Sequence, residues 1–154
     1  DVYKRQYAEE VIRASPTIEP EQVPEGVALR MQRQRILFEE HRYFGFVITE
    51  RALRRSFGSL ELMVAQYERL LHLSTHPTID IMVLPDDVPS PVVPHEFTIF
   101  DDSLVYIGML TRPDIVSEAP DVQSYISTYQ DLVAPSLKGD EAREVIKRLT
   151  AAVR

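Results

Sequence analysis

The chain has 154 residues, of which 44% are hydrophobic, a length and composition typical of one globular domain that buries its own core. Its 17 Lys and Arg residues are outnumbered by 24 Asp and Glu residues, giving a net charge of −7. Phosphate contacts supply most non-specific affinity for nucleic acid, so this charge argues against DNA binding by the chain itself. Cysteine is absent, which excludes disulfides and thiolate chemistry and suits a reducing, cytoplasmic compartment.

Neither a membrane span nor a leader sequence is predicted. No apolar run approaches the roughly eighteen residues that cross a bilayer, and the N-terminus lacks the apolar segment of a signal peptide. The first residue is Asp1 rather than methionine, and a helix is predicted almost at once, near Tyr7. We therefore expect the chain to be a segment of a longer polypeptide.

The N-terminal part of the chain predicts two helices and a strand. A short amphipathic helix over residues 7–12 is followed by a proline-containing connector, residues 15–24. Pro24 suits the first turn of a second helix, where its missing N–H costs nothing, and this helix is predicted to run to about Glu40. Residues 44–49 (FGFVIT) are almost continuously apolar, which indicates a strand covered on both faces.

A charged segment, residues 50–58 (ERALRRSFG), joins this strand to an amphipathic helix, and we call it the charged elbow. Ser59 is the expected N-cap of the helix. The apolar positions that recur at helical spacing are Leu60, Met63, Val64, Tyr67, Leu70 and Leu71. His76-Pro77 ends the helix, since a residue before proline avoids the α region. A second strand follows over residues 79–84 (IDIMVL).

The C-terminal part predicts a hairpin and two helices. Strands over residues 97–100 and 104–110 are joined by a tight turn at 101–103. One helix begins at Pro120, and the last has Asp140 as its N-cap. The element order is ααβαβββαα, which predicts an α+β fold: one sheet of about four strands packed against helices. We expect a single domain over residues 1–154.

Motifs that would indicate an enzyme are missing. The sequence has no Gly-x-Ser-x-Gly nucleophile elbow. His95-Glu96 begins like a zinc-protease motif, but position 99 is Ile, so the second histidine is absent. Five glycines are spread singly along the chain, which excludes the glycine-rich nucleotide loops. We therefore expect neither catalytic activity nor a cofactor.

Two further patterns leave alternatives open. His72 and His76 have the spacing of a metal pair, but histidines at a helix C-terminus also favour its dipole, so no metal site is predicted. Asp101-Asp102 and the strand–helix–strand–hairpin order are loosely similar to half of a phospholipase D-type domain. The His-x-Lys pair of those enzymes is missing after all four histidines. A hairpin turn is the better interpretation of the aspartates.

The charged elbow is the strongest candidate for a binding site. Open α/β sheets bind ligands outside the carboxyl ends of their strands, where this segment lies. The residues predicted to converge there are Arg33, Gln34, Glu50, Arg54, Arg55 and Gln66. Such an arginine-rich pocket suits a small polar or anionic effector. The alternative is an internal salt-bridge network that fixes the helices on the sheet.

Two tyrosines of the predicted C-terminal helices are candidates for an interface. Tyr125 and Tyr129 lie at helical spacing, which is typical of core positions. An apolar ring with a polar tip also suits a protein–protein interface, here that of a homodimer.

Several short motifs, taken in order, resemble a known family. They are YAEEV (7–11), ALRMQRQRIL (28–37), ITERALRRSFG (48–58), AQYERLLHL (65–73), IMVLP (81–85), FTIFDD (97–102) and VIKRL (145–149). Together they are similar to the C-terminal domain of unknown function in actinobacterial XRE-family helix-turn-helix transcriptional regulators.

This resemblance implies a regulatory role. In that family a short N-terminal helix-turn-helix domain binds DNA, and this larger domain follows it without an attached catalytic activity. The family's polar positions correspond here to Arg33, Gln34, Glu50, Leu53, Gly58 and Gln66. The resemblance implies a domain that responds to a small effector or small partner protein and controls a DNA-binding domain upstream. The alternatives are a dimerisation module and a degenerate phosphodiesterase.

Overall fold

The structure is a computed structural model that describes residues 22–39, 41–56 and 58–153. The predicted helix over residues 7–12 lies outside the described residues. The chain divides into two compact units, one containing the residues up to Asp86 together with those from Leu137, and one formed by Asp87–Ser136. Each unit combines helical structure with a small sheet, which confirms the α+β class.

The first unit begins with helix α1, Val23–Gln34, which has proline in its first turn as predicted. A 3-10 turn, Arg35–Phe38, follows it directly. The α-helix therefore ends before the predicted limit at Glu40, because the chain tightens into the 3-10 geometry common at helix ends. Val23 and Val27 are buried and pack against Met31.

A parallel pair of strands forms the sheet of this unit. Strand β1, Phe44–Thr49, pairs with β2, Ile79–Leu84, so that Thr49 lies opposite Leu84. Five of the six residues of β2 are buried, and Val83 exchanges two further backbone hydrogen bonds with Leu137 at 3.0 and 2.8 Å. β1 is only partly buried, so its predicted coverage on both faces is wrong.

Three helices complete the unit: α2 (Glu50–Arg54), α3 (Leu60–Leu73) and α5 (Gly139–Val153). Ser59 is confirmed as the N-cap of α3, because its side chain accepts a hydrogen bond from the Leu62 N–H at 3.2 Å. Asp140 lies in the first turn of α5 instead of capping it, and its carboxylate is 2.5 Å from Arg143. The buried core residues are Leu37, Leu53, Met63, Tyr67, Leu73, Ile79, Ile81, Val83, Ala142, Val145 and Ile146.

The second unit is an antiparallel sheet with one helix. Its strands are β3 (Phe97–Phe100), β4 (Leu104–Ile107) and β5 (Asp114–Val116), paired in that order, and its helix is α4 (Ala119–Val133). The buried apolar residues of its core are Val105, Ile107 and Val122, with Phe97, Ile99, Val116, Tyr125 and Ile126 packed around them. The sheet and its helix thus share one small core.

The turn between β3 and β4 is confirmed as a tight hairpin. Asp101 and Asp102 have φ values of 52° and 62°, and the Ser103 N–H donates to the Phe100 carbonyl at 3.0 Å. Two consecutive residues with positive φ match the twist of antiparallel strands, and aspartate tolerates this conformation better than most residues.

The prediction of one sheet with about four strands is wrong, because the strands form two separate sheets of two and three. The proline-containing segment after β2 begins the second unit, and proline cannot donate to a sheet ladder. β4 ends at Ile107 rather than residue 110, since Ile107 pairs with Phe97, the first residue of β3. The strand β5 was not predicted, because its three residues are too few to show an alternating pattern.

Within the described part of the chain, no helix is long and apolar enough to cross a membrane.

The buried hydroxyl of Tyr67 provides a test of this packing. It donates to the Leu53 carbonyl at 2.6 Å, and the residue is 3% exposed. Tyr67→Phe leaves that carbonyl without the donor, so we expect the free energy of unfolding in urea to fall by about 1–2 kcal/mol. Tyr106→Phe, at a partly exposed position of β4, should change it by less than about 0.5 kcal/mol. Equal losses in both variants would contradict this packing.

Candidate functional site

The carboxyl ends of β1 and β2 lie side by side, because the two strands are parallel and Thr49 pairs with Leu84. Glu50 follows β1 directly, and Pro85 and Asp86 follow β2. Ligands of open α/β sheets bind beyond this edge. The charged elbow therefore begins where the fold places binding sites in many proteins.

Local sequence explains why α2 forms at this point. The Thr49 side chain accepts a hydrogen bond from the Ala52 N–H at 3.2 Å, which caps the helix, and Glu50 lies in its first turn near the positive end of the dipole. Leu53 is 6% exposed and attaches the helix to the core. With Leu53 directed inward, Arg51 and Arg54 are exposed.

Three side chains from the two strand ends form a cluster, which we call the Glu50–Arg54–Asp86 cluster. Glu50 Oε2 is 2.5 Å from Arg54 Nη2, and Arg54 Nη1 is 3.3 Å from Asp86 Oδ2. The Asp86 backbone N–H donates to Glu50 Oε1 at 3.2 Å. Each member therefore contacts both others, and Glu50 connects the end of β1 to the chain leaving β2.

The three members differ in their access to solvent. The Glu50 side chain is 18% exposed, that of Asp86 is 35% exposed and that of Arg54 is 56% exposed. A guanidinium has five N–H donors, and the contacts with Glu50 and Asp86 each engage one nitrogen. Arg54 therefore has further N–H donors that can face an acceptor in solution. Two carboxylates surround this one guanidinium, so the cluster is not the arginine-rich pocket that was predicted.

Of the other predicted members of this site, the described side chains of Gln34 and Gln66 do not join the cluster. The side chain of Arg33 lies outside what the structure describes, although its backbone is part of α1. Gln34 and Gln66 are partly buried on α1 and α3, and within the described residues neither shares a hydrogen bond with the cluster. Arg55 ends α2 and is exposed. The structure thus brings Glu50 and Arg54 together and adds Asp86.

Two positions singled out by the resemblance have structural roles. Leu53 is buried, and its carbonyl accepts the hydrogen bond from the Tyr67 hydroxyl. Gly58 has a φ of 76°, a conformation that favours glycine, and it immediately precedes the Ser59 cap. Both residues fix the course of the chain between α2 and α3. Their side chains do not supply polar contacts.

His76 and Tyr125 are engaged in local contacts. His76 Nδ1 is 3.0 Å from the Thr78 hydroxyl, and among the described residues no three His, Cys, Asp or Glu side chains form a metal-binding group. Tyr125 is partly buried, with its hydroxyl 3.0 Å from His95 Nε2 and its ring 5.0 Å from that of Phe97. Tyr129 is also partly buried. Their role in a homodimer interface stays a prediction.

The profile of a protein family described as a domain of unknown function, DUF5753, matches residues 4–148. The chain belongs to this family. No curated protein and no solved structure matches the chain at a significant level. The role of the DUF5753 domain therefore has to be inferred from its own residues.

Asp86 is the member of the cluster that sequence reasoning missed. Asp86 is the second residue after β2, Glu50 is the first residue after β1, and both strands were predicted. A parallel pairing of the two strands would have placed Asp86 beside Glu50, so the missing information was the register.

Substitution of Glu50 tests whether the cluster links the strand ends of the DUF5753 domain. Glu50→Gln keeps an acceptor for the Asp86 N–H but removes the charge facing Arg54, so we expect the free energy of unfolding to fall by about 1 kcal/mol or less. Glu50→Ala also removes the acceptor, and we expect a larger loss of about 1–2 kcal/mol.

Glu144→Gln is the matched control, because Glu144 pairs with Lys147 at 3.6 Å where both side chains are well exposed. This control should leave stability unchanged within about 0.5 kcal/mol. Urea unfolding of the four proteins provides the comparison. If Glu50→Ala behaved like Glu144→Gln, Glu50 would not link the two strand ends.

Proposed function

We propose that this DUF5753 domain is the effector-sensing domain of a cytoplasmic XRE-family helix-turn-helix transcriptional regulator. The observation that carries the proposal is the Glu50–Arg54–Asp86 cluster, which lies at the carboxyl ends of two parallel strands with its arginine 56% exposed. The resemblance of the chain's motifs to domains that follow a DNA-binding domain supports the regulatory context. The proposal includes no catalytic step and no cofactor.

In this proposal a small polar or anionic effector binds to Arg54. The contacts of Arg54 with Glu50 and Asp86 then change, and α2 is the element that responds first. Leu53 on α2 is bonded to Tyr67 on α3, so a shift of α2 is transmitted to the longer helix. Control of a regulator requires that the effector bind one of two arrangements more tightly than the other.

DNA contact is assigned to an upstream helix-turn-helix domain. The net charge of −7 makes direct contact of this domain with phosphates unfavourable. This domain would change DNA binding only indirectly, by favouring one arrangement of the upstream helix-turn-helix domain.

A second candidate is a module for assembly, with a second copy or a small protein as the partner. Large apolar side chains on the surface of the second unit favour it: Met109 is 58% exposed, Leu110 67% and Ile115 57%. Single exposed apolar residues are ordinary, whereas contiguous apolar patches mark interaction surfaces, and these three residues lie within seven positions of sequence.

Native mass spectrometry of the purified domain, followed by denaturing spectra of the same sample, distinguishes these functions. We expect a discrete additional mass that disappears on denaturation, because a retained effector is not covalently bound. Arg54→Ala should reduce its occupancy at least roughly tenfold. The control Arg51→Ala changes an exposed arginine of the same short helix and should retain it.

Two results would contradict the sensing proposal. A dimer without additional mass favours the assembly module instead. Loss of folding in Arg54→Ala, with Arg51→Ala folded, shows that the cluster is a structural salt-bridge network.

A further inference from the structure

Arg69 lies far from the Glu50–Arg54–Asp86 cluster in the topology of the first unit. Helix α3 starts beyond the carboxyl end of β1 and ends before the amino end of β2. Because the two strands are parallel and six residues long, these ends are separated by roughly 20 Å. Arg69 is in the last turns of α3 and therefore belongs to the opposite end of the sheet.

An aromatic ring holds the guanidinium of Arg69. Its Cζ atom is 5.4 Å from the centroid of the Phe38 ring, and the His76 ring meets Phe38 edge-on with centroids 5.8 Å apart. A cation over a ring is attracted by the ring's quadrupole, more strongly where water is excluded. The contact satisfies one face of the guanidinium and leaves its edges to other partners.

One edge of this guanidinium has donors without acceptors. Nε and Nη2 are both closed off from solvent, and neither has a hydrogen-bond partner among residues 22–39, 41–56 and 58–153. Burial lowers the pKa of the Arg69 guanidinium, since desolvation disfavours its charged form. Arginine nevertheless stays protonated in proteins. A charged donor that is dry and unpaired is costly, so an acceptor at this edge would lower the free energy of the folded domain.

The two unpaired nitrogens are the pair that recognises carboxylates. Nε–H and one N–H of Nη2 project side by side from the same edge of the planar group, which is the geometry of bidentate pairing. We propose that this edge of Arg69 is a carboxylate-binding site, separate from the Glu50–Arg54–Asp86 cluster. A carboxylate fits better than a phosphate, because one guanidinium neutralises its single charge in a domain with a net charge of −7.

Binding at this site is coupled to movement of a side chain, because both nitrogens are shielded from water. Phe38 is the contacting neighbour that can move: it is 45% exposed and is the last residue of the 3-10 turn. The arrival of a carboxylate would replace a dry edge by two charge-assisted hydrogen bonds.

Nuclear magnetic resonance of the arginine side chains tests the proposal. The Nε–H signal of Arg69 is assigned by triple-resonance spectra and by its loss in Arg69→Lys. Sodium acetate is then titrated into the 15N-labelled chain against sodium chloride at constant ionic strength. We expect a saturable shift of the Arg69 signal and no shift of the exposed Arg51. Arg69→Lys should weaken the acetate affinity measured from backbone amide shifts at least roughly tenfold, since lysine cannot pair bidentately.

The site is independent of the sensing proposal, so Arg54→Ala should leave the acetate response of Arg69 unchanged. If the Arg69 signal does not move with acetate, the proposal fails, whatever the outcome at Arg54. A larger saturable shift with inorganic phosphate than with acetate would also overturn it, because the site would then select for charge and not for a carboxylate.

Discussion

Parallel strands end at the same edge of their sheet, and in this domain the pairing of β1 with β2 decides where the charges meet. Thr49 lies opposite Leu84, so the residues that follow both strands leave the sheet together. Glu50 and Asp86 are 36 positions apart in sequence, yet a hydrogen bond joins them. The cluster is therefore a product of strand register, and α2 adds Arg54 to it within one turn of Glu50.

The stability of the first unit rests on apolar packing. Val83 and Ile146 are 0% exposed and Ile79 is 1% exposed, and burial of such side chains is worth about 1.5–3 kcal/mol each. An exposed ion pair contributes only about 0–1 kcal/mol. The ion pairs at the strand ends are thus minor contributors to folding. The charged side chains of the cluster can therefore exchange partners with a ligand at little cost to the fold, as the sensing proposal requires.

Local signals made much of this fold predictable. The cap at Ser59 and the two aspartates of the hairpin turn depend on residues within three or four positions, and the structure confirms both. Long-range features were not predictable in the same way. To place Asp86 beside Glu50, the parallel register of β1 and β2 had to be known. The division into two sheets depended on which strands pair with each other after the proline-containing segment. Convergence of Gln34 and Gln66 on the cluster was inferred from the order of elements alone, which does not fix where side chains on separate helices meet.

In the sensing proposal, the Glu50–Arg54–Asp86 cluster is available to a ligand because its ion pairs contribute little to folding. A double-mutant cycle between Arg54→Met and Asp86→Asn, measured by urea unfolding, provides the decisive test. A coupling energy below about 1 kcal/mol is expected for two side chains that are 56% and 35% exposed. A coupling energy of about 3 kcal/mol or more would contradict the sensing proposal, because the cluster would then hold the fold together in the manner of a buried ion pair.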